Sequence, residues 1–149
     1  MASPQANHRR ESQGAKALKL ILNIDVPELD PAIEFYTRAL GLTHSRTLDD
    51  DTAELTGASA TIYLLKKQAG TPAARVPPID REYARHWTPV HFDLVVPDVD
   101  AAAGRAFAAG AKQETGHIDW HGSRCMSFSD PFGHGFCFIQ FERDGSYTD

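Results

Sequence analysis

The sequence predicts an α+β domain of two βαβββ repeats forming a curved mixed sheet around a cleft, with the helices on the outer face. Three observations carry this expectation. The junction Val26-Pro27-Glu28-Leu29-Asp30 recurs 70 residues on as Val96-Pro97-Asp98-Val99-Asp100. Each copy lies where a strand-like run passes into a helical pattern, and three more strand-like runs follow it. One helix covers only one face of a four-stranded sheet. Two halves joined edge to edge would therefore leave a curved inner face, lining a cleft suited to a ligand.

The elements follow in order. Residues 1–17 mix Ser, Gln, Asn, His, Arg and Lys without apolar periodicity and read as a disordered N-terminal tail. The first module is expected over 18–66. It opens with a strand at 18–24, after which Asp30 is placed to cap a helix and Pro31 suits its first turn. Ile33, Tyr36 and Leu40 recur at helical spacing and Gly41 is placed to end the helix. Strands are expected at 43–47, 52–56 and 60–65, separated by Asp49-Asp50-Asp51, read as a solvated turn, and by Gly57. Residues 67–88, with Gly70, Pro72, Pro77 and Pro78, read as a linker between the halves. The second module, 89–143, repeats the plan. It has a strand at 90–96, an alanine-rich helix at 101–109 with Ala103 and Phe107 on one face, and Gly110 at its end. Strands at 112–115, 123–129 and 135–141 complete it, the last two joined by Asp130-Pro131-Phe132-Gly133. Residues 144–149 form a short C-terminal tail.

Composition narrows the functional classes. The 149 residues carry 15 basic and 20 acidic side chains, a net charge of −5, which disfavours a partner held through its phosphate backbone. No run approaches the roughly 20 apolar residues of a membrane helix, and the N-terminal residues lack a secretory signal. Two cysteines, Cys125 and Cys137, are too few for a disulfide scaffold and suggest a reducing cytoplasm.

The paired βαβββ pattern, the two Val-Pro junctions, Phe35-Tyr36 followed by Leu40-Gly41-Leu42, and Asp130-Pro131-Phe132-Gly133 before the last strand together resemble the vicinal oxygen chelate superfamily. Its members include glyoxalase I, extradiol dioxygenases, fosfomycin-resistance transferases and bleomycin-binding proteins. The resemblance spans residues 20–142. It implies metal ligands on the first and last strands of each half, at positions occupied here by Ile21, Tyr63, His91 and Cys137. Isoleucine cannot ligate a cation and tyrosine does so only in special sites, so the usual oxygen-and-imidazole shell is reduced to one histidine and one thiol. No cofactor is expected on that reading.

The resemblance also sets the cleft side. With His91 facing in, strand alternation adds Asp93 and Val95, and in the first half Ile21, Asn23 and Asp25. Leu20, Leu22, Ile24, Phe92, Leu94 and Val96 then face the helices. Tyr63, Leu65, Cys137, Ile139 and Phe141 face in. On the strand at 123–129 either Arg124, Met126 and Phe128 or Cys125, Ser127 and Ser129 do so. The segment His117-Ile118-Asp119-Trp120-His121-Gly122 suits a cleft rim that grips a small polar or aromatic molecule. His117 and His121 have the spacing of a helical zinc pair, but flanking Gly116 and Gly122 argue against a helix.

The candidate catalytic residues are His91, Asp93 and His121, with either Asp25 or Asp93 able to serve as a base. Ligand-binding candidates are Asn23, Asp25, Tyr63, Trp120, Arg124, Cys137 and Ile139. A Cys137–His91 nucleophilic pair lacks any visible oxyanion donor in the sequence. Three functions are expected in descending order: a small-molecule binder, or a lyase- or isomerase-like enzyme using side-chain acid/base chemistry, without the usual metal; a divalent-metal lyase or dioxygenase of the superfamily with His91 as a ligand; and a protein–protein module. The sheet edges and the superfamily's habit favour a homodimer.

Overall fold

A computed structural model describes residues 17–149. The N-terminal tail expected over 1–17 lies outside these residues except for its last position.

The first module is β1 (Ile21–Val26), α1 (Leu29–Leu40), β2 (Thr43–Leu48), β3 (Thr52–Thr56) and β4 (Thr61–Lys66), with sheet order β1-β4-β3-β2. The second contains β7 (Phe92–Val95), α2 (Val99–Ala108), β8 (Lys112–Gln113), β9 (Ile118–Trp120), β10 (Ser123–Ser129) and β11 (Gly135–Phe141). Its sheet runs β7-β11-β10-β8, with β9 also paired to β10. In each sheet the first and last strands are parallel, Asn23 opposite Tyr63 and Asp93 opposite Cys137, and the other pairings are antiparallel. The repeat is therefore one of fold and of register, and Asn23/Tyr63 is the counterpart of Asp93/Cys137.

One core serves both modules. Ile24, Val26, Leu55, Ile62 and Leu64 from the first sheet and Met126, Phe128, Phe136 and Phe138 from the second join the helix residues Ala32, Phe35, Tyr36, Ala39, Val99, Ala102 and Ala106. Phe35 packs edge-on to Phe132 and Phe136, so the first helix reaches the second module directly. The Tyr36 hydroxyl donates a 2.5 Å hydrogen bond to Asp130 Oδ2, which makes the Asp130 turn an anchor between the modules.

Local chemistry shifts several boundaries. Helix α1 starts one residue before Asp30. Its N-cap is Glu28, whose side chain makes no capping bond, and Asp30 and Pro31 fall inside the first turn, where a missing N–H costs nothing. In α2 the equivalent Asp98 is short enough to cap, accepting 3.0 Å bonds from the Asp100 and Ala101 amides. Helix α2 accordingly begins at Val99, two residues earlier than the alanine run suggests. Its buried stripe is Val99, Ala102 and Ala106, and Phe107 is 72% exposed. Gly41 ends α1 with φ 67°, as expected. Leu20, expected on the helix side, precedes β1 and is exposed. The linker is not structureless: β5 (Pro72–Arg75) and β6 (Pro78–Asp80) form a hairpin within it. The rim segment contains strand β9, and the strand expected at 112–115 shrinks to the two residues of β8. The C-terminal residues fold back, the Thr148 amide donating to the His121 carbonyl and Tyr147 packing between Trp120 and Phe141.

Candidate functional site

The open alternative on β10 resolves through its register. Ser127 stands opposite Cys137 and Cys125 opposite Ile139, while Met126 and Phe128 are buried in the core. A row Ser127–Cys137–Asp93 therefore crosses β10, β11 and β7 on the face away from the helices. Ser127 Oγ lies 3.2 Å from Cys137 Sγ, and His91 Nε2 lies 3.4 Å from Asp93 Oδ1. One ligand atom from each of His91, Asp93 and Cys137 falls within 4.8 Å of the others. Burial is the main cause that raises both thiols, and Cys125, with the neighbouring Cys137 as second cause, is pushed up to about 12. Both cysteines are unpaired thiols.

A cavity of about 390 Å³ opens over the Ser127–Cys137 end of this row, lined by Arg85, Trp87, Thr88, His91, Glu114, Thr115, Ser127 and Cys137 together with Phe128, Gly135 and Phe136, while Asp93 lines a separate cavity with Val95 and Arg105. Part of the wall comes from the linker. Residues 83–85 press onto the start of β11 so closely that a Cβ on Gly133 would overlap the Tyr83 carbonyl oxygen and one on Gly135 the Arg85 guanidinium. Arg85 is held by Glu114 through Nε and Nη2 at 2.9 Å, which keeps the Glu114 carboxyl below its usual value. Trp87, 79% exposed, stands beside this ion pair as a free aromatic surface.

The other sequence candidates separate into different places. Asn23 and Asp25 line a smaller recess of about 150 Å³ at the join of the modules, which His91 also lines. There Asp25 pairs with Arg81 at 2.9 Å, a partner supplied by the linker, and its carbonyl lies 2.6 Å from His134 Nε2. Tyr63 donates to Glu54 at 2.7 Å, and Glu54 also takes Arg46 at 3.0 Å and Ser45 at 2.7 Å. Arg46 first, then Ser45 and Tyr63, holds the Glu54 carboxyl down to about 2, while Glu54 raises Tyr63. Trp120, His121 and Arg124 line a further cavity of about 420 Å³ that does not include His91 or Cys137. Arg124 is tied there to Asp119 at 2.7 Å, and His121, at φ 43°, donates from Nδ1 to the Thr148 carbonyl oxygen. Ile139 is 4% exposed, so it packs rather than contacts a ligand.

Sequence reasoning missed Arg85, Trp87 and Glu114, and left Ser127 on one of two open faces of its strand. The first two sit in a segment read as linker, where an isolated tryptophan in a polar stretch was the available signal. Glu114 and Ser127 required the strand register.

The metal positions implied by family resemblance do not assemble into a full shell. Ile21 offers no donor and Tyr63 is engaged with Glu54. His91 and Cys137 do come together, joined by Asp93, a residue outside that family set.

Comparison with known proteins agrees with this architecture. The family model described as a glyoxalase-like domain matches residues 21–139. No curated protein matches the chain. Among solved structures, a glyoxalase/bleomycin resistance protein/dioxygenase from Nocardioides is 20% identical, with a TM-score of 0.62 over 91% of this chain and 89% of its own. A lactoylglutathione lyase from Agrobacterium tumefaciens is 20% identical, with a TM-score of 0.60 over 85% and 95%. The fosfomycin resistance protein FosX from Listeria monocytogenes is 14% identical, with a TM-score of 0.63 over 87% and 97%. These likenesses concern the fold.

Proposed function

The chain belongs to the glyoxalase-like domain family of the vicinal oxygen chelate superfamily, and from that premise we propose that it binds a small organic molecule over the second module's sheet. The observation that carries this reading is the 390 Å³ cavity under Trp87. Its volume falls in the range of small-molecule sites, roughly 300–1,000 Å³, and it combines an exposed indole with a short row of polar groups. Arg85 is neutralised by Glu114, so the cavity favours a molecule with a flat apolar face and a hydrogen-bonding edge over a free anion. His91, paired with Asp93, is the group suited to move a proton on such a ligand. Sequestration and side-chain acid/base chemistry both follow from this arrangement, and fold alone decides neither.

Partner and location follow the same reading. Strand β2 is exposed at all six positions and forms a sheet edge, which suits pairing with a second copy. The two free thiols suit a reducing compartment such as the cytoplasm. No helix among the described residues is long and apolar enough to cross a membrane.

A thermal-shift screen of flat, polar-edged organic compounds tests the proposal. A ligand at 100 times its Kd adds about 2.7 kcal/mol, which for a chain of this size raises Tm by about 5–10 °C. Trp87→Ala should remove most of that shift and Trp120→Ala should leave it. A hit whose shift depends on Trp120 and not on Trp87 would move the site to the other cavity and refute the reading.

A further inference from the structure

We infer that the cavity at the β9–β10 turn is a second binding site, for a neutral saccharide, with Trp120 as its platform and Asp119, Arg124, Gln140 and Glu142 as its hydroxyl-binding groups. The inference concerns a different cavity and a different ligand class from the reading above, and stands or falls without it.

The strand register builds the polar side of the site. Asp119 stands opposite Arg124 across β9 and β10, and Arg124 opposite Gln140 across β10 and β11. Glu142 follows Gln140 by two residues, and its amide donates to the Gly122 carbonyl at 2.8 Å, which carries the ladder one step past β11 and sets Glu142 on the same side. By the same alternation this row lies on the face opposite Ser127 and Cys137, so the cavity of about 420 Å³ that it lines is separate from the one under Trp87.

Each of the four side chains ends in a planar group with at least two hydrogen-bonding atoms, a shape that pairs with two adjacent hydroxyls. Arg124 commits Nε and Nη2 to Asp119 at 2.7 and 3.0 Å, and Gln140 Oε1 accepts the Val99 amide at 2.9 Å. Arg124 Nη1, Gln140 Nε2 and both Glu142 carboxylate oxygens have no hydrogen-bond partner among the described residues. Uncommitted donors and acceptors therefore share one cavity, and a hydroxyl, which both donates and accepts, uses both kinds. A cation would leave the Arg124 and Gln140 donors unused. An anion would meet Glu142, because Asp119 already neutralises Arg124.

Trp120 supplies the apolar surface. It lines the cavity beside the polar row and is 59% exposed, yet it is braced on two sides. The His121 ring lies 4.4 Å away at 77° and the Tyr147 ring 4.9 Å away at 72°. Tyr147 rests in turn on Phe141, and the chain end is closed by Thr148, whose amide donates to the His121 carbonyl. A Cβ on Gly122 would collide with the Thr148 side chain, so glycine is what lets the C-terminal residues close here. A large indole held in place and left open offers the C–H face of a sugar ring a stacking surface at little cost in conformational entropy.

The test uses the full chain labelled with nitrogen-15, whose two tryptophans give two indole N–H signals, assigned through Trp87→Phe and Trp120→Phe. The probes are methyl glucoside, methyl galactoside and N-acetylglucosamine. At least one should move the Trp120 signal along a saturable curve while the Trp87 signal stays in place. Trp120→Ala should abolish that binding or weaken it by about tenfold or more, as truncation of a central aromatic contact does. Glu142→Ala, which removes a partnerless exposed carboxylate and leaves the fold intact, should weaken it by about tenfold, since hydrogen bonds to charged groups are the strong ones. Glucuronate should bind several-fold more weakly than methyl glucoside, because its carboxylate faces Glu142. Four results would each overturn the inference: no probe moves the Trp120 signal, the Trp87 signal alone moves, Glu142→Ala leaves the Kd unchanged, or choline moves the Trp120 signal saturably where the saccharides do not. The last would mark an aromatic site for a quaternary ammonium instead.

Discussion

The bond between Tyr36 and Asp130 offers a sharp test of how the two modules are held in register. Tyr36 is fully buried on α1, and its hydroxyl donates to an Asp130 carboxylate that also accepts the Phe132 and His134 amides at 2.8 Å. Asp130 is itself 5% exposed, so Tyr36→Phe would leave Oδ2 without its donor in a site water does not reach. A hydrogen bond to a charged group contributes about 1.5–3 kcal/mol. We therefore predict a loss of about 2 kcal/mol, and a Tm lower by about 4–8 °C, with little change in fold. The effect also has a pH signature. Burial, and then the Asp130 charge, raises the Tyr36 phenol well above its ordinary value. The unfolded chain loses that proton near about pH 10 while the native protein keeps it. Above pH 10 the unfolded state thus binds fewer protons, and the parent's stability falls with rising pH. Phenylalanine has no such proton. The difference between parent and variant should be constant below pH 9 and shrink above pH 10, by about 1.4 kcal/mol at pH 11. Urea unfolding of both proteins at pH 7, 9 and 11, followed by circular dichroism, measures this directly. A penalty under about 0.5 kcal/mol, or a gap that does not narrow at pH 11, would refute the reasoning.

Three other predictions follow from single contacts. Asp98→Ala should cost about 1 kcal/mol in urea unfolding by stripping the α2 cap, whereas Glu28→Ala, which caps nothing and loses only an exposed 3.3 Å pair with Lys66, should change stability by less than about 0.5 kcal/mol. Gly133→Ala combines φ 89° with a backbone collision at Tyr83 and should lower Tm well beyond Gly135→Ala, where the obstacle is the end of the Arg85 side chain; equal effects in a melting experiment would contradict this. The Glu54 carboxyl, watched by NMR, should titrate near pH 2 in the parent and climb toward about 4.3 in Arg46→Ala. Because that acid is depressed on folding, its contribution is present above its unfolded value and fades as pH falls toward 2.

How much of this was legible in the sequence depends on the range of the contacts involved. The duplicated Val-Pro junction gave the fold, because a strand-to-helix turn repeated with its following strands implies a repeated module. Face assignments on β1, β7 and β11 followed from alternation. Helix starts were less legible, since whether Glu28 or Asp30 caps α1 depends on side-chain length against a turn that forms only in the folded chain. The site was partly visible: His91, Asp93 and Cys137 were all expected on the cleft face, and the register of β7 and β11 sets Asp93 opposite Cys137. His121, Trp120 and Arg124 were grouped with them on chemistry, but strand β9 carries Trp120 and its neighbours to another cavity. Arg85 and Trp87 lay in a stretch with no periodicity to read. Their place is set by glycines 133 and 135, fifty residues away, which let the crossing segment settle on β11.

The claim that the second module's cavity is where this protein meets its ligand is most directly tested by tryptophan fluorescence. The chain has two tryptophans, so Trp120→Phe leaves Trp87 as the sole indole reporter. Titrating a thermal-shift hit into that variant should change its emission along a saturable curve with one Kd. If instead Trp87→Phe, with Trp120 remaining, reports saturable binding of the same compound and Trp120→Phe stays silent, the ligand sits beside His121 and Arg124 and the account is wrong.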